Sequence, residues 1–256
     1  MFSTFKNAWK LPELRKKILY TLLMLLVYRL CCFIPTPGVN PTLQIEAANQ
    51  NIFGLMNIIT GGSLEGYTFM AMGISPYINA SIIIQLLQVV IPSLERLGHD
   101  EDGREKINKI VRYTSFGLAF LQAVGICYAF SKSQQILVDS IKYPVFGYIL
   151  VGLSLTAGSA VAMWIGDRIS EKGIGNGISM LIFIGIIARL PLTATNYIQS
   201  AISGSQSGNN ALWWILPLVL IFAVALIVLV VFVELGERRI NIQYAKRVSG
   251  RKVYGG

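Results

Sequence analysis

The sequence predicts an all-α, polytopic transmembrane helix bundle with about six spanning helices and one re-entrant half-helix. Composition is the first observation behind this. Of 256 residues, 54% are hydrophobic and only 14% charged, against roughly 25% charged in an ordinary soluble domain, and the mean hydropathy is +0.58. That much apolar surface does not fit inside one water-facing core, so the bilayer is the solvent. The second observation is a series of apolar runs near the roughly 20 residues that a spanning helix needs. The third is the placement of basic residues, which cluster between alternate runs.

Residues 18–34 form the first run, ended by Pro35, Pro37 and Gly38. Lys10 to Lys17 make its leading flank basic, as in a secretory signal. The run is longer than such a signal's apolar region and lacks a small-residue exit, so it reads as a retained span. The next apolar region, residues 52–91, is too long for one span and too short for two with a loop. It is interrupted from Gly61 to Gly66, which predicts a half-helix over 52–60 and a full span over about 69–91. Non-helical backbone at membrane depth is tolerated only where protein or a water-filled cavity surrounds it, so the break points to a cavity. Further spans are expected at about 113–130, 146–166, 177–190 (with a possible extension towards Tyr197) and 212–233. The Gly- and Ser-rich stretch 200–210 reads as a loop.

Lys and Arg orient the bundle. All 22 of them except Arg29, Lys132, Lys142 and Arg189 fall in the N-terminal tail, in the loops after the second and fourth spans, or in the C-terminal tail. The expected N-terminus is therefore cytoplasmic, and the net charge of +9 gathers on that face. Cys31, Cys32 and Cys127 lie in apolar runs and read as inert buried thiols. His99 is the single histidine, which excludes a multi-histidine metal site, and no cofactor is expected.

Few residues offer chemistry. Ile74, Ile78, Ser81, Gln85 and Gln88 share one stripe of the second span, suited either to an interhelical contact or to lining a cavity. Gly173 to Gly177 read GIGNG. No GK[ST] follows, so a packing or hinge role is favoured over a phosphate cradle. Arg29 stands inside the first span, to snorkel outward or to find a partner. No span carries a carboxylate, HExxH is absent, and no Ser–His pair is available. An intramembrane enzyme or proton-coupled transporter normally keeps ionisable groups at depth. The tail from Glu234 to Gly256 is either a solvated basic flank or a docking site for something anionic such as ribosomal RNA.

Several stretches then carry a resemblance. FIPTPG at 33–38, GISPYINASIIIQLL at 73–87, EKGIGNGIS at 171–179, ERRI at 237–240, YAKR at 244–247 and GRKVY at 250–254 stand in the order found in SecY, and the chain resembles the N-terminal part of that family. The resemblance implies a protein-conducting channel of ten spans in two inverted halves. Residues 1–17 would be a cytoplasmic tail, 18–190 the first half with spans one to five, 191–211 an external loop, 212–233 the sixth span and 234–256 a basic cytoplasmic loop. About four more spans are implied beyond Gly256, so the chain is expected to be partial and to need its C-terminal half.

By the same resemblance, Ile74, Ile78, Ile178 and Ile182 match an apolar pore constriction. Phe53, Gly54, Leu55, Met56, Asn57, Ile58, Ile59, Thr60, Gly61 and Gly62 match a plug. The second and third spans match one side of a lateral gate, with Ser81, Gln85 and Gln88 on it. Arg251 and Lys252, with Arg238, Arg239, Lys246 and Arg247, match a loop that meets the ribosome or the motor SecA. The implied partners are SecE, SecG, SecA, the ribosome and its RNA, signal peptides and nascent secretory chains, membrane lipid and the C-terminal half. The implied location is the bacterial inner membrane, and the channel itself is not an enzyme. Half of a secondary transporter is the rival reading, since broken helices also mark that class. The lack of intramembrane carboxylates disfavours it.

Overall fold

The computed structural model describes residues 11–40, 51–131, 137–138, 143–206, 211–237, 247–249 and 252–254. The chain divides into two units, Met1–Leu192 and Thr193–Gly256.

The first unit begins with α1, Pro12–Cys31. Pro12 opens it, where a missing N–H and a fixed φ are favourable. Thr21, Leu25 and Tyr28 form its buried face, while Leu19, Leu22, Leu23, Leu26 and Leu30 are exposed. A helix apolar on both faces is one whose outer solvent is lipid. The chain then turns, and Pro35 pairs with Thr68 in an isolated antiparallel bridge. Thr36 N–H donates to Tyr67 O, and Phe69 N–H to Ile34 O.

Helix α2 is short, Asn51–Ile59, about 14 Å long. Gly61 (φ +68) and Gly62 (φ +91) end it in the left-handed region, where an L side chain is strained. Turns then run to Ile74 before α3, Ser75–Val90. The second span thus starts at Ser75 rather than at the expected residue 69. The irregular stretch is deeply enclosed: Leu64, Tyr67, Met70, Ala71 and Met72 are all at most 1% exposed. Protein surrounds it, as the bilayer requires of non-helical backbone.

Helix α3 ends at Ile91, and α4, Pro92–His99, leaves it at a bend of 111°. Pro92 cannot continue the preceding helix. Two long helices follow, α5 (Glu101–Ser131) and α6 (Pro144–Lys172). Ala123, Cys127 and Phe130 of α5 pack with Val151 and Leu155 of α6 against Leu64 and Tyr67. A second apolar cluster joins α3 to α5 through Ala80, Ile84, Ile107 and Val111.

Helix α7 is Gly177–Gln206 and passes through Pro191. This corrects the loop expected over 191–211. The helix runs on through the Ser/Gly-rich sequence to Gln206, and 207–210 lie outside the described residues. Within the second unit, α8 is Ala211–Glu234. Arg247–Ser249 (β1) and Lys252–Tyr254 (β2) form a small antiparallel hairpin with Val248 opposite Val253.

Among the described residues, four helical segments are long and apolar enough to cross a membrane, within α5, α6, α7 and α8, and the bent α3–α4 pair brings the number to five. The other expected spans are present as helices with a physical shortfall. Helix α1 carries Arg15, Lys16 and Lys17 near one end and Arg29 near the other. Helix α3 has 16 residues, about 24 Å against a hydrocarbon core of about 30 Å.

Candidate functional site

The four isoleucines approach one another from two helices. Ile74 is the residue before α3 and Ile78 stands one turn on. Ile178 and Ile182 occupy the first two turns of α7. Ile74, Ile78 and Ile178 pack in one apolar cluster with Leu25 and Tyr28 of α1, Ile165 and Ile169 of α6 and Leu181 of α7. Ile74 is buried; the other three are half-buried. Ile182 and Ile74 line a narrow cleft with Tyr28, Gly73 and Leu181, and Ile59 and Thr60, at the end of α2, close it. The short helix therefore abuts the isoleucine cluster.

The start of α7 is fixed by the GIGNG stretch. Asn176 Oδ1 accepts from Ile178 N–H at 3.0 Å, satisfying a donor that the first helical turn leaves open. Ser170 Oγ accepts from Gly177 N–H at 2.9 Å. Thr21 Oγ1 on α1 accepts from Ile174 N–H at 3.1 Å. A Cβ at Gly177 would run into the carbonyl of Gly166 on α6. These glycines serve a tight turn and close helix packing, as the sequence favoured.

Helix α2 rests on α7 by a second close approach, since a Cβ at Gly185 would strike the carbonyl of Ile59. Thr60 Oγ1 donates back to Met56 O at 2.9 Å. Beside this contact, a charge on the turn after α2 meets one on α7. Arg189 Nη2 lies 2.5 Å from Glu65 Oε2, with 15% and 28% of the respective side chains exposed. Asn57 Nδ2 donates to the same oxygen at 3.2 Å, and Glu65 N–H donates to Asn57 Oδ1 at 3.2 Å. Arg29 points into the same region. Its Nη1 is buried with no hydrogen-bond partner among the described residues and would meet a Cβ at Gly61, and its guanidinium lies 5.9 Å from the Phe33 ring centre.

Sequence reasoning missed Glu65 and Arg189 as a pair. A signal existed: Glu65 is the one acidic residue between Glu46 and Glu95, and Arg189 the one charge between Lys172 and Glu234. Isolated opposite charges in apolar sequence are expensive unless they meet.

The stripe expected on α3 is divided. Ile74 and Ile78 join the cluster above, whereas Ser81, Gln85 and Gln88 line a separate cleft of about 320 Å³ with Gly98, Arg104 and Asn108. Gln85 Nε2 donates to Ser81 Oγ at 3.1 Å. A larger groove, about 570 Å³, runs between α2, α3 and α5 and is lined by Met56, Ile59, Ile78, Asn79, Leu121 and Gln122 among others. Of the expected plug residues, Gly54, Met56, Asn57, Ile58, Ile59, Thr60, Gly61 and Gly62 are seen in α2 and its terminating turn. Phe53 and Leu55 belong to that helix, but their side chains lie outside the described residues. In the basic tail, Arg247 and Lys252 lie on the hairpin strands, and Arg238, Arg239, Lys246 and Arg251 lie outside the described residues.

The family model for SecY matches residues 68–256. The chain belongs to the SecY family. Curated SecY relatives agree over the whole chain. The protein translocase subunit SecY of Thermotoga maritima is 42% identical, with all of this chain and 59% of the relative covered. That of Streptomyces scabiei is 41% identical, with all of this chain and 60% of the relative covered. The chain thus spans about 60% of the length of the curated relatives it matches. Two solved structures share the SecY fold at 21% identity. Sec61 in the canine ribosome-channel complex from the endoplasmic reticulum gives a TM-score of 0.64 over 92% of this chain and 53% of that one. A structure described as a protein conducting channel gives 0.64 over 97% and 56%.

Proposed function

We propose that this chain is the N-terminal part of the central subunit of a protein-conducting channel. That channel moves secretory proteins across the membrane and releases membrane proteins laterally into it. The observation that carries the reading is the meeting of Ile74, Ile78 and Ile178 in one apolar cluster, with Ile182 beside them and the end of α2 closing the cleft. An apolar constriction opposes wetting and so resists ion leak. It offers a passing chain no directional contacts, so passage tolerates many sequences. The short helix over the cluster acts as the plug.

On this reading α3 and α5 form one wall of the lateral gate, with Ser81, Gln85 and Gln88 on it, and signal peptides and lipid meet there. The basic end of the molecule is cytoplasmic, in keeping with the Lys and Arg bias, and the membrane is the bacterial inner membrane. Arg238, Arg239, Lys246, Arg247, Arg251 and Lys252 contact SecA or ribosomal RNA, for which a cluster of positive charge is suited. SecE, SecG and the C-terminal half of SecY complete the pore. The conduit is passive, driven by SecA or by the ribosome, and not itself an enzyme.

Site-specific photocross-linking tests this. Probes at Ile78 and Ile182 are introduced into membranes that also hold the C-terminal half, SecE and SecG, and an arrested secretory chain is supplied. Cross-links from both positions are expected. Their absence, with a full-length SecY control positive, would remove the pore-lining role from this chain.

A further inference from the structure

We infer that Asn57, Glu65 and Arg189 form a latch that holds α2 closed, with the Gly61–Gly62 turn as the joint it spans. This rests on the channel reading above and adds residues that the constriction and plug assignments do not contain.

The two sides of the joint are embedded differently. Beyond it, Leu64, Tyr67 and Met70 are at most 1% exposed, so that side is anchored by packing. Before it, α2 has only 9 residues; one face, with Asn57 at 1% exposed, is buried, and the other is open, with Ile58 at 46% exposed. The link between them is a pair of glycines at φ +68 and +91, the residues that re-orient most freely. Rotation of α2 about that link must break the two Asn57–Glu65 hydrogen bonds, which cross it. One of them, from Asn57 Nδ2, depends on where the Glu65 carboxylate points, and Arg189 fixes that from α7 at 2.5 Å; the other is donated by the Glu65 backbone N–H. The contact of Ile59 with Gly185 on α7 is steric and has no preferred partner atom.

The energetics suit a reversible lock. A charge-assisted bond is stronger than a neutral one, yet the pair is not fully enclosed, with 15% and 28% of the side chains exposed. Water can therefore replace Asn57 on the Glu65 carboxylate when α2 leaves, while Arg189 stays with it. Removing one partner is worse than removing both, because the survivor stays half-buried without its counter-charge. Asn57, Glu65 and Arg189 are positioning residues here; the chain in transit need not touch them.

The test uses the channel assembled from this chain, the C-terminal half of SecY, SecE and SecG in membrane vesicles. Resting ion leak and translocation of a normal precursor are measured for the unaltered protein, E65Q, E65R, R189E and the exchange E65R/R189E. E65Q keeps the side-chain shape and guards against a loss due to misfolding, and the amount of assembled complex is measured for each variant. The expected result is a resting leak raised about tenfold in the three single variants, returned towards the unaltered level in the exchange, with translocation of the normal precursor retained. Single variants that assemble and leak no more than the unaltered protein would overturn the latch, as would an exchange no tighter than the singles. If the unaltered assembly translocates nothing, the channel reading itself fails, a result separable from failure of the latch.

Discussion

Helices α6 and α8 both contain a segment long and apolar enough to cross a membrane, and they differ in how much of that segment is buried. Helix α6 buries Gly147, Val151, Gly152, Leu155, Gly158, Ser159, Ala162, Met163, Ile165, Gly166 and Ile169. Helix α8 is the more uniformly apolar of the two, and its described side chains are all exposed, from Ile215 through Phe232. The two helices also differ in side-chain size. Lipid tails are as apolar as leucine, so burial of apolar surface does not draw helices together within a bilayer; close packing does, and small residues permit it. Helix α6 has a small-residue face, and a Cβ at Gly158 would collide with the Phe69 carbonyl. Helix α8 is made mostly of Leu, Ile, Val and Phe, which suit contact with lipid chains.

That contrast can be broken most severely at Gly158. Gly158→Val forces a branched side chain into backbone, and overpacking of this kind costs about 3 kcal/mol. The expected outcome is loss of a protease-resistant first unit in detergent. Leu155→Ala comes next. Leu155 is 1% exposed, and truncation of such a leucine typically costs about 2–4 kcal/mol, read as a lowered thermal unfolding midpoint with the fold retained. Thr21→Val is smaller. It removes the acceptor for Ile174 N–H and should cost about 1 kcal/mol, seen as faster hydrogen exchange at the GIGNG turn. Arg112→Ala removes an ion pair to Asp167 between α5 and α6 whose side chains are 51% and 32% exposed, and screening holds the loss to about 0.5 kcal/mol. Val228→Ala in α8, at a side chain 63% exposed, should shift the same unfolding midpoint least of all. A Val228→Ala loss as large as that of Leu155→Ala would dissolve the distinction between the two helices.

The sites follow the same division between what composition tells and what packing tells. Ile78 and Ile182 were assigned together because their surrounding motifs are distinctive, and the structure does bring their helices to one cluster. Glu65 and Arg189 were passed over because they are 124 residues apart and neither stands in a motif. Arg29 offered two readings, and its guanidinium turns towards the Gly61 turn. Ser81, Gln85 and Gln88 seemed continuous with Ile74 and Ile78 at helical spacing. Helix α3 nevertheless gives its two ends different neighbours, α1, α6 and α7 at one and α4 and α5 at the other.

Read alone, the sequence already says that lipid is the solvent, that helices carry the fold and where most of them lie. It also determined that the chain must break near Gly61. These follow from local quantities: apolar run length, charge placement and the φ range open to glycine. Which apolar faces meet each other within the first unit was set by tertiary packing. Packing also gave Glu65 its partner, and α7 runs to Gln206, into the Gly- and Ser-rich stretch from residue 200 that reads locally as a loop. Such outcomes depend on distances between residues far apart in the chain, and in a bilayer hydrophobicity cannot stand in for those distances, because it is satisfied equally by a neighbouring helix and by a lipid tail.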